Sequence, residues 1–294
     1  MPCRTTRSAG DCKSARLAEV ALASVGEALT GGRRRLAAAG CDSPRLDAEL
    51  LLAAALDPVD PPSRARLVID RDRPLDPLPA ERFDELLGLR EAREPVAYIL
   101  GRRDFRRLRL AVDRRVLIPR PESELLVEVG LTLPAGATVV DVGTGSGAVA
   151  LALKDERPDL RVRGTDISDD ALAVARGNAG RLGLAVDFVA ADLLDDQPAE
   201  AVLANLPYVA EGAVLAPEIM RYEPAAALFA GADGLDVVRR LVALAGAREV
   251  RLIAVEIGPE QAAEVARLLR AERFALVEIR RDLAGRERVV VGSR

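Results

Sequence analysis

The second half of the chain alternates short apolar runs with segments that repeat apolar positions at helical spacing. Such alternation is typical of a mostly parallel sheet with helices on both faces. The predicted strands are residues 138–142, 161–166, 186–190, 201–204 and 252–257, followed by a closing antiparallel pair at 275–280 and 287–291. The main predicted helices between them are residues 148–154 and 169–182. We therefore predict an α/β fold of the Rossmann-like kind over residues 121–294.

The first third of the chain has helical periodicity instead. A first predicted helix ends at Gly31 and Gly32, and its recurring apolar positions are Leu17, Val20, Ala21, Val25 and Leu29. A second helix begins after Ser43 and Pro44 and is broken at residues 57–58, and a third spans residues 80–93. These segments predict a small helical domain over residues 16–93, behind a disordered tail of residues 1–15.

Residues 94–120 join the two regions and have a different pattern. Short extended pieces are predicted at residues 98–101, 108–112 and 116–118, which favours a β-hairpin linker. Prolines interrupt the chain at residues 119 and 121, and a helix is predicted to resume over residues 122–131.

Composition narrows the class of protein. Of the 294 residues, 49% are hydrophobic and 30% charged, which favours a globular protein over a disordered one. Lys and Arg number 42 and Asp and Glu 46, so a broad nucleic-acid-binding surface is not expected. No apolar run approaches the roughly 18–20 residues that span a bilayer, so no membrane segment is expected. The cysteines Cys3, Cys12 and Cys41 form no C-x-x-C pair, which fits a reduced, cytoplasmic protein without a metal centre.

The chain contains 0 histidines, and this absence excludes several kinds of catalytic site. A Ser-His-Asp triad, a Cys-His pair and an H-E-x-x-H zinc site all need an imidazole. Catalysis must therefore depend on carboxylates, amides, hydroxyls, backbone groups or a reactive cofactor.

A glycine-rich loop follows the first strand of the α/β region and precedes a helix. It consists of Gly143, Thr144, Gly145, Ser146 and Gly147. Glycines let the backbone approach a ligand closely, and a helix start offers free N–H groups. A tight strand-to-helix turn would explain the same glycines.

Asp166 ends the next predicted strand, about 20 residues beyond the loop, where an acidic residue can bind both hydroxyls of a ribose. That position suits NAD as well as S-adenosylmethionine. A carboxylate at the start of a helix is the other interpretation.

Asn205, Leu206, Pro207 and Tyr208 follow the apolar strand 201–204, where open α/β sheets bind ligands. The Asn205 amide and a backbone carbonyl beside proline can accept the two N–H bonds of a planar –NH₂ group, and Tyr208 can cover its face. Because the lone pair of an amide nitrogen is delocalised, orientation and electrostatic stabilisation by such a clamp would assist its methylation. An Asn-x-Pro turn is the structural alternative.

Taken together, these motifs resemble the HemK/PrmC-type peptide chain release factor glutamine methyltransferases, of the class I S-adenosylmethionine-dependent fold. The resemblance begins near residue 17 and is carried by residues 46–51, 94–101, 116–124, 205–208, 222–224, 231–235, 256–258 and 282–286. It implies that residues 143–147 wrap the methionine part of S-adenosylmethionine, that Asp166 holds its ribose, and that Asp192 and Leu193 flank its adenine. It also implies that Asn205 contacts the cofactor.

The resemblance also implies a substrate. Residues 205–208 would hold the glutamine of the Gly-Gly-Gln motif in a class 1 release factor, with Asn205, Pro207 and Tyr208 as catalytic residues. The helical domain would help to dock that protein, and the enzyme is expected to act as a monomer.

Two residues depart from the family pattern. Leu206 stands where proline is usual, which keeps both acceptors but loosens the backbone, and Ser123 replaces a common threonine. The sequence Asn-Leu-Pro-Tyr also resembles the motif of ribosomal RNA adenine dimethyltransferases. The alternatives are therefore a ribosomal protein glutamine as substrate, adenine-N6 methylation of nucleic acid, or a non-catalytic cofactor-binding module.

Overall fold

The structure is a computed structural model and describes residues 23–294. The predicted tail of residues 1–15 and the predicted start of the first helix lie outside the described residues. Within residues 23–294, no helix combines the length and the apolar character needed to cross a membrane.

The N-terminal region consists of helices. They are α1 (Val25–Ala38), α2 (Pro44–Leu56), α3 (Arg64–Ile69), α4 (Pro77–Glu91) and α5 (Val96–Ile99). Helix α1 begins at Val25 because Ser24 and Glu27 form a capping box, in which each side chain accepts from the other residue's backbone N–H. Helices α1, α2 and α4 enclose a hydrophobic core that includes Leu36, Leu51 and Phe83.

The predicted end of the first helix at Gly31 and Gly32 is wrong, because α1 continues to Ala38. A Cβ atom on Gly32 would lie 2.7 Å from Cζ of Phe83. Gly32 therefore allows α1 and α4 to approach each other, and the packing against α4 outweighs the low helix propensity of glycine.

The segment that joins the two regions mixes helix, hairpin and irregular structure. Strands β1 (Arg102–Phe105) and β2 (Leu108–Ala111) pair antiparallel. The extended conformation predicted at residues 98–101 is wrong, since α5 covers Val96–Ile99. Residues 116–118 form no strand but are held in place, because the Tyr98 hydroxyl donates to the Val116 carbonyl at 2.6 Å. A 3₁₀ turn (Pro121–Ser123) then leads into α6 (Glu124–Leu131).

The C-terminal region is built on a seven-stranded sheet. Its strands are β3 (Thr138–Val142), β4 (Arg161–Asp166), β5 (Asp187–Ala190), β6 (Ala201–Ala204), β7 (Leu252–Glu256), β8 (Leu276–Arg281) and β9 (Glu287–Ser293). The spatial order is β5-β4-β3-β6-β7-β9-β8, with β9 antiparallel to both β7 and β8 and the other pairs parallel. The predicted strands, and the closing antiparallel pair, are confirmed to within two residues at each end.

Helices cover both faces of this sheet, as predicted. Those after α6 are α7 (Ala148–Glu156), α8 (Asp169–Leu182), α10 (Asp236–Ala247) and α11 (Ala262–Ala271). A shorter helix, α9 (Pro217–Tyr222), has no buried residue and is not part of these layers. Successive residues of β3 enter different cores: Val139 packs with α7 and α8, whereas Val140 packs with α10 and α11. Both faces of the central strands are buried, which explains why those strands appear in the sequence as continuous apolar runs.

The strand order places a reversal between β3 and β6. The chain proceeds outward from β3 through β4 to β5 and then returns to the other side of β3 at β6. In open α/β sheets a crevice forms at the carboxyl ends of the strands at such a reversal. The glycine-rich loop after β3 and the Asn205 segment after β6 are therefore neighbours.

Buried ion pairs join the helical region to the segment that follows β6. Arg90 donates to Asp47 of α2 at 2.8 Å and to Glu218 of α9 at 3.0 Å, and Arg93 pairs with Glu218 at 2.5 Å. Because the Arg90 side chain is only 7% exposed, these pairs fix α9 against the helical region.

Candidate active site

A cavity of about 290 Å³ lies at the reversal between β3 and β6. It brings together most of the residues that the sequence singles out: Gly143, Thr144, Gly145, Ser146, Asp166, Asp192, Leu193, Asn205, Leu206 and Pro207 all line it. Gly147 and Tyr208 lie beside the cavity and are not part of its lining. Four separate segments, after β3, β4, β5 and β6, thus contribute to one site.

The glycines of the loop after β3 have different structural roles. Gly143, Gly145 and Gly147 all have positive φ, at 70°, 54° and 83°. A Cβ on Gly147 would lie 3.0 Å from Cδ1 of Leu151, so this glycine allows α7 to pack closely. A Cβ on Gly145 would meet no protein atom within 4 Å, so at this position the loop is open. Only Gly145 therefore offers unobstructed backbone to a ligand.

The backbone N–H groups of this loop are largely used within the protein. Those of Gly143 and Thr144 donate to the Thr165 carbonyl at 2.9 Å, and that of Gly147 donates to the Thr144 carbonyl at 2.8 Å. The Gly145 N–H donates to Oδ2 of Asp166 at 2.9 Å. These four N–H groups therefore already have partners within the protein, and the loop is better suited to close contact than to anion binding.

Asp141, the last but one residue of β3, supports the loop from below. Its Oδ2 accepts from the Thr144 hydroxyl at 2.6 Å and from the Ala150 N–H at 3.2 Å. Burial raises the pKa of Asp141 to about 6, although both hydrogen bonds favour the ionised form. The carboxylate connects the loop to the first turn of α7 and keeps the loop closed against the end of β3.

Asp166 is held in one orientation at the carboxyl end of β4. Its Oδ1 accepts from the Ser168 N–H and its Oδ2 from the Gly145 N–H, both at 2.9 Å. Each carboxylate oxygen can accept a further hydrogen bond. Asp166 therefore presents two fixed acceptors on the wall of the cavity, which suits a pair of adjacent hydroxyl groups.

Asp192 and Leu193 form the wall beyond β5. Asp192 pairs with Arg240 of α10 at 2.5 Å, and both residues line the cavity. Leu193 has a positive φ of 73°, and its carbonyl accepts from the Thr165 hydroxyl at 2.6 Å. That hydrogen bond helps to hold a backbone conformation that is unfavourable for a leucine. The local sequence does not identify Arg240 as a cavity residue, because it appears there as one polar position of an amphipathic helix.

The segment after β6 forms the opposite wall. Leu206 is only 5% exposed. It belongs to the hydrophobic core that β3 shares with α10 and α11. A Cβ on Gly143 would lie 2.9 Å from Cδ2 of Leu206, so the leucine packs directly against the glycine-rich loop. This packing joins the segment after β6 to the loop after β3.

Tyr208 is fixed beside the cavity through its ring and its backbone. A Cβ on Gly258 would lie 3.1 Å from Cδ2 of the tyrosine ring. The Tyr208 carbonyl accepts from Nε2 of Gln261 at 3.0 Å, and its hydroxyl lies 3.5 Å from Oε1 of Glu256. Burial raises the pKa of Tyr208 to about 12, so its hydroxyl remains protonated at neutral pH.

Two further polar residues are linked to the Asn205 side chain. Ser123 contacts it directly, and Glu256 contacts Ser123. Nδ2 of Asn205 donates to Oγ of Ser123 at 2.9 Å, and Oγ of Ser123 donates to Oε2 of Glu256 at 2.6 Å. Both Ser123 and Glu256 are buried, at 3% and 2% exposure. The sequence assigns no role to either residue, although both lie in segments of the family resemblance.

Glu256 has an unusual electrostatic environment. Burial raises its pKa to about 7, against the opposing effect of the hydrogen bond from Ser123. Glu122 raises this pKa further, and Arg288 and Arg120 lower it. A carboxyl with a pKa near neutral pH is therefore linked to Asn205 through one intervening residue, Ser123.

Glu223 precedes Pro224 of the cavity wall and is hydrogen-bonded to the segment before the 3₁₀ turn. It accepts from the Ile118 N–H at 3.2 Å and from Arg120 at 2.6 Å, and so fixes the segment before the 3₁₀ turn. Pro119, Pro224 and Ala227 from these two segments line the cavity. The cavity wall thus includes chain from the joining segment as well as from the sheet.

Two family models match separate parts of the chain. Residues 27–101 match the PrmC N-terminal domain, and residues 121–231 match the methyltransferase small domain. The first match covers the helical region, and the second covers the glycine-rich loop, Asp166 and Asn205.

Curated proteins similar over nearly the whole chain carry one name. The release factor glutamine methyltransferase of Cereibacter sphaeroides is 43% identical over 272 residues, which is 90% of this chain and 96% of that protein. The release factor glutamine methyltransferase of Mycolicibacterium smegmatis is 41% identical over 277 residues, 91% of this chain and 96% of that protein.

Solved structures share the fold at low identity. The hMettl16 catalytic domain in complex with MAT2A 3'UTR hairpin 6 matches with a TM-score of 0.54 and 18% identity. The match covers 71% of this chain and 82% of that one. At this identity, the likeness indicates a common methyltransferase fold.

Proposed function

The chain belongs to the release factor glutamine methyltransferase family, and we propose that it methylates the side-chain amide of a glutamine in a class 1 release factor. S-adenosylmethionine is the proposed methyl donor, and the glutamine of the Gly-Gly-Gln motif is the proposed acceptor. One observation carries the proposal: a single cavity holds the glycine-rich loop, Asp166 and the Asn205 segment.

The residues of the cavity fit S-adenosylmethionine. The open backbone at Gly145 leaves space for the methionine part, and the two fixed oxygens of Asp166 match the two ribose hydroxyls. Leu193 offers an apolar surface for the adenine, with Asp192 beside it. When bound, the cofactor supplies an electrophilic methyl group on a sulfonium.

Asn205 and Leu206 would orient the acceptor amide. Oδ1 of Asn205 and the backbone carbonyl of Leu206 each accept one N–H of the glutamine –NH₂ group. Because these two acceptors polarise both N–H bonds of the amide, they raise the electron density on a nitrogen that is otherwise a poor nucleophile. The two acceptors would hold this nitrogen in line with the methyl group that bound S-adenosylmethionine would supply, and the nitrogen would lose one proton to water after the transfer. Orientation, rather than an imidazole base, provides the catalysis.

Pro207 and Tyr208 have supporting roles in this proposal. Pro207 limits the backbone freedom of the clamp at the cavity wall. Tyr208, which is anchored by Gln261 and contacts Glu256, would cover one face of the acceptor amide.

The helical region is proposed as the docking domain for the release factor. Glu218, which follows the clamp in the chain, is fixed by Arg90 and Arg93 of the helical region. A protein bound to the helices would therefore be held at a set distance from the acceptor clamp. A translation factor as substrate places the reaction in the cytoplasm, and one chain contains every residue invoked here.

The proposal is tested by methyl transfer to an intact release factor with matched variants at position 205. The wild-type protein should methylate the factor, and Asn205→Ala should lower kcat by about a hundredfold or more while the Kd for S-adenosylmethionine changes little. Asn205→Asp keeps the acceptor oxygen but replaces the Nδ2 donor with a second acceptor and places a charge beside Ser123 and Glu256, so it should also be impaired.

The same assay separates the alternative substrates. A ribosomal protein and an RNA with accessible adenines are offered in parallel reactions. Transfer to either of these and not to the release factor would refute the proposal. Equal rates for wild type and Asn205→Ala would refute the assigned role of the clamp.

A further inference from the structure

We propose that Ser123 and Glu256 act as positioning residues that hold the Asn205 amide in one of its two possible orientations. The inference rests on the proposed function, since it explains how the acceptor oxygen of the clamp stays directed to the glutamine. It is carried by the chain of contacts from Asn205 through Ser123 to Glu256, which links the ends of β6 and β7 through the 3₁₀ turn.

The direction of each hydrogen bond follows from the chemistry of the groups. An ionised carboxylate only accepts, so the single proton of the Ser123 hydroxyl is directed to Oε2 of Glu256 at 2.6 Å. The Ser123 oxygen can then only accept from its other neighbour. The group of Asn205 that lies 2.9 Å away must therefore be the Nδ2 donor.

This constraint matters because an amide side chain can turn by half a rotation at little steric cost. In the opposite orientation Oδ1 of Asn205 would face the lone pairs of the Ser123 oxygen, and two acceptors would meet without a proton between them. Nδ2 would then face the substrate –NH₂ group, so that donor met donor. Ser123 and Glu256 exclude this arrangement, in which the clamp could not hold a glutamine.

The burial of both groups strengthens the constraint. Ser123 is 3% exposed and Glu256 is 2% exposed, so water has little access to offer alternative partners. Hydrogen bonds to a charged acceptor are stronger than those between neutral groups, and more so away from water. The orientation of Asn205 is thus fixed by charge and not by packing alone.

The constraint depends on the ionisation of Glu256. The titratable groups that act on it are Glu122 from the 3₁₀ turn, Arg120 before that turn, Tyr208 after β6 and Arg288 from β9. Glu122 itself pairs with Arg288 at 3.3 Å. A protonated Glu256 could donate to the Ser123 oxygen, which would free the Ser123 proton for Oδ1 of a turned Asn205. Acidification through a pKa of about 7 should therefore lower the fraction of correctly oriented clamp.

The first test compares Ser123→Ala with Ser123→Thr and with a distant control, Ser43→Ala, whose residue makes no capping hydrogen bond on α2. Ser123→Ala should lower kcat for release factor methylation about 10- to 100-fold, with little change in the KM for S-adenosylmethionine. Ser123→Thr keeps the hydroxyl and should restore kcat to near the wild-type value, and Ser43→Ala should not change it. A Ser123→Ala enzyme with wild-type kcat would overturn the proposal.

The pH profile distinguishes positioning from a merely structural role. Because the chain has 0 histidines, Glu256 with a pKa of about 7 and Asp141 with a pKa of about 6 are the groups expected to titrate near neutrality in the site. The wild-type kcat should fall on acidification through about pH 7, and Ser123→Ala should lose that step. If the step persists unchanged in Ser123→Ala, it does not act through Ser123, and the proposal fails.

A spectroscopic readout separates this inference from the proposed function. NMR exchange of the Asn205 side-chain amide protons, identified by comparison with Asn205→Asp, needs no substrate. In the wild-type protein one of these protons should exchange slowly above about pH 7 and faster below it. Rapid exchange of both protons at every pH would overturn the inference even if methylation is observed, and slow exchange without methylation would refute only the proposed function. Because this measurement uses the wild type, it remains decisive should Ser123→Ala fail to fold.

Discussion

Gly143 and Leu206 are in contact where the loop after β3 meets the segment after β6, and a Cβ on Gly143 would lie 2.9 Å from Cδ2 of Leu206. The contact joins the proposed cofactor loop to the proposed acceptor clamp. It also buries the Leu206 side chain, which is only 5% exposed, against the loop.

Replacing Gly143 with alanine should therefore damage the site in two ways. Gly143 has a φ of 70°, which costs an alanine about 1–2 kcal/mol, and the new methyl group would also overpack Leu206 at a cost of about 1–3 kcal/mol. We expect a lower free energy of unfolding together with weaker binding of S-adenosylmethionine, measured by denaturant unfolding and calorimetric titration.

Gly136→Ala is the matched control for this change. Gly136 has a similar φ of 75°, but a Cβ there would meet no atom within 4 Å. It should show the backbone cost alone and normal cofactor affinity. Equal losses of stability in the two variants would show that the contact with Leu206 contributes nothing.

Asp166→Asn should weaken the binding of S-adenosylmethionine. Both oxygens of the native carboxylate accept backbone N–H groups, from Ser168 and Gly145. An asparagine would direct its own –NH₂ group at one of these donors, and it would lose the charge that attracts the ribose hydroxyls. We expect the Kd to rise about 10- to 100-fold, as measured by calorimetry.

Asp170→Asn, in the first turn of α8, is a suitable control because it changes the same charge outside the cavity. Its Kd should remain close to that of the wild type. A comparable rise in both variants would indicate a general electrostatic effect instead of a ribose contact.

Glu256 should make the stability of the fold depend on pH. Burial raises its pKa from 4.5 to about 7 in the folded protein, so the folded state binds the proton more tightly than the unfolded state. The stabilisation from this proton is complete below pH 4.5 and is lost as the pH rises through about 7. Asp141, whose pKa is raised to about 6, acts in the same direction.

The comparison of wild type with Glu256→Gln isolates this effect. A neutral glutamine does not incur the cost of a buried charge, so the Tm of the variant relative to wild type should increase with pH and level off above about pH 7. Thermal unfolding across this range measures the difference. A constant difference would mean that Glu256 titrates alike in the folded and unfolded protein.

Glu218→Ala should destabilise the junction between the two regions. The change leaves Arg90 without one of its two carboxylate partners and Arg93 without its buried partner. Breaking a buried ion pair by removing one partner costs about 3–5 kcal/mol. Denaturant unfolding should show this loss, and Glu264→Ala, which removes a solvent-exposed pair with Arg267, should show little change. Similar values for both variants would contradict a structural role for the junction.

The sheet could be predicted from the sequence because its strands are short and apolar and are bounded by polar turns. Residues 138–142, 161–166 and 201–204 are strands with the same limits in the structure. The contributions to the cavity from Gly145, Asp166 and Asn205 also follow, since a loop at the carboxyl end of a parallel strand has a predictable place.

The parts that could not be predicted depend on contacts between distant residues. Gly32 continues a helix because Phe83 packs against it, and local propensity contains no information about that neighbour. Ser123 and Glu256 are separated by 133 positions and come together through the order of the strands. Tyr98 lies in the helical turn α5, and the hydrogen bond from its hydroxyl to the Val116 carbonyl cannot be predicted from the neighbouring sequence.

The most direct test of the account is the position of the methyl group on a release factor treated with the wild-type protein and S-adenosylmethionine. Fragment mass spectrometry should find one added methyl group on the glutamine side chain of the Gly-Gly-Gln motif, and none after treatment with Asn205→Ala. A methyl group on another residue, or an unmodified release factor beside methylated RNA or ribosomal protein, would contradict the account.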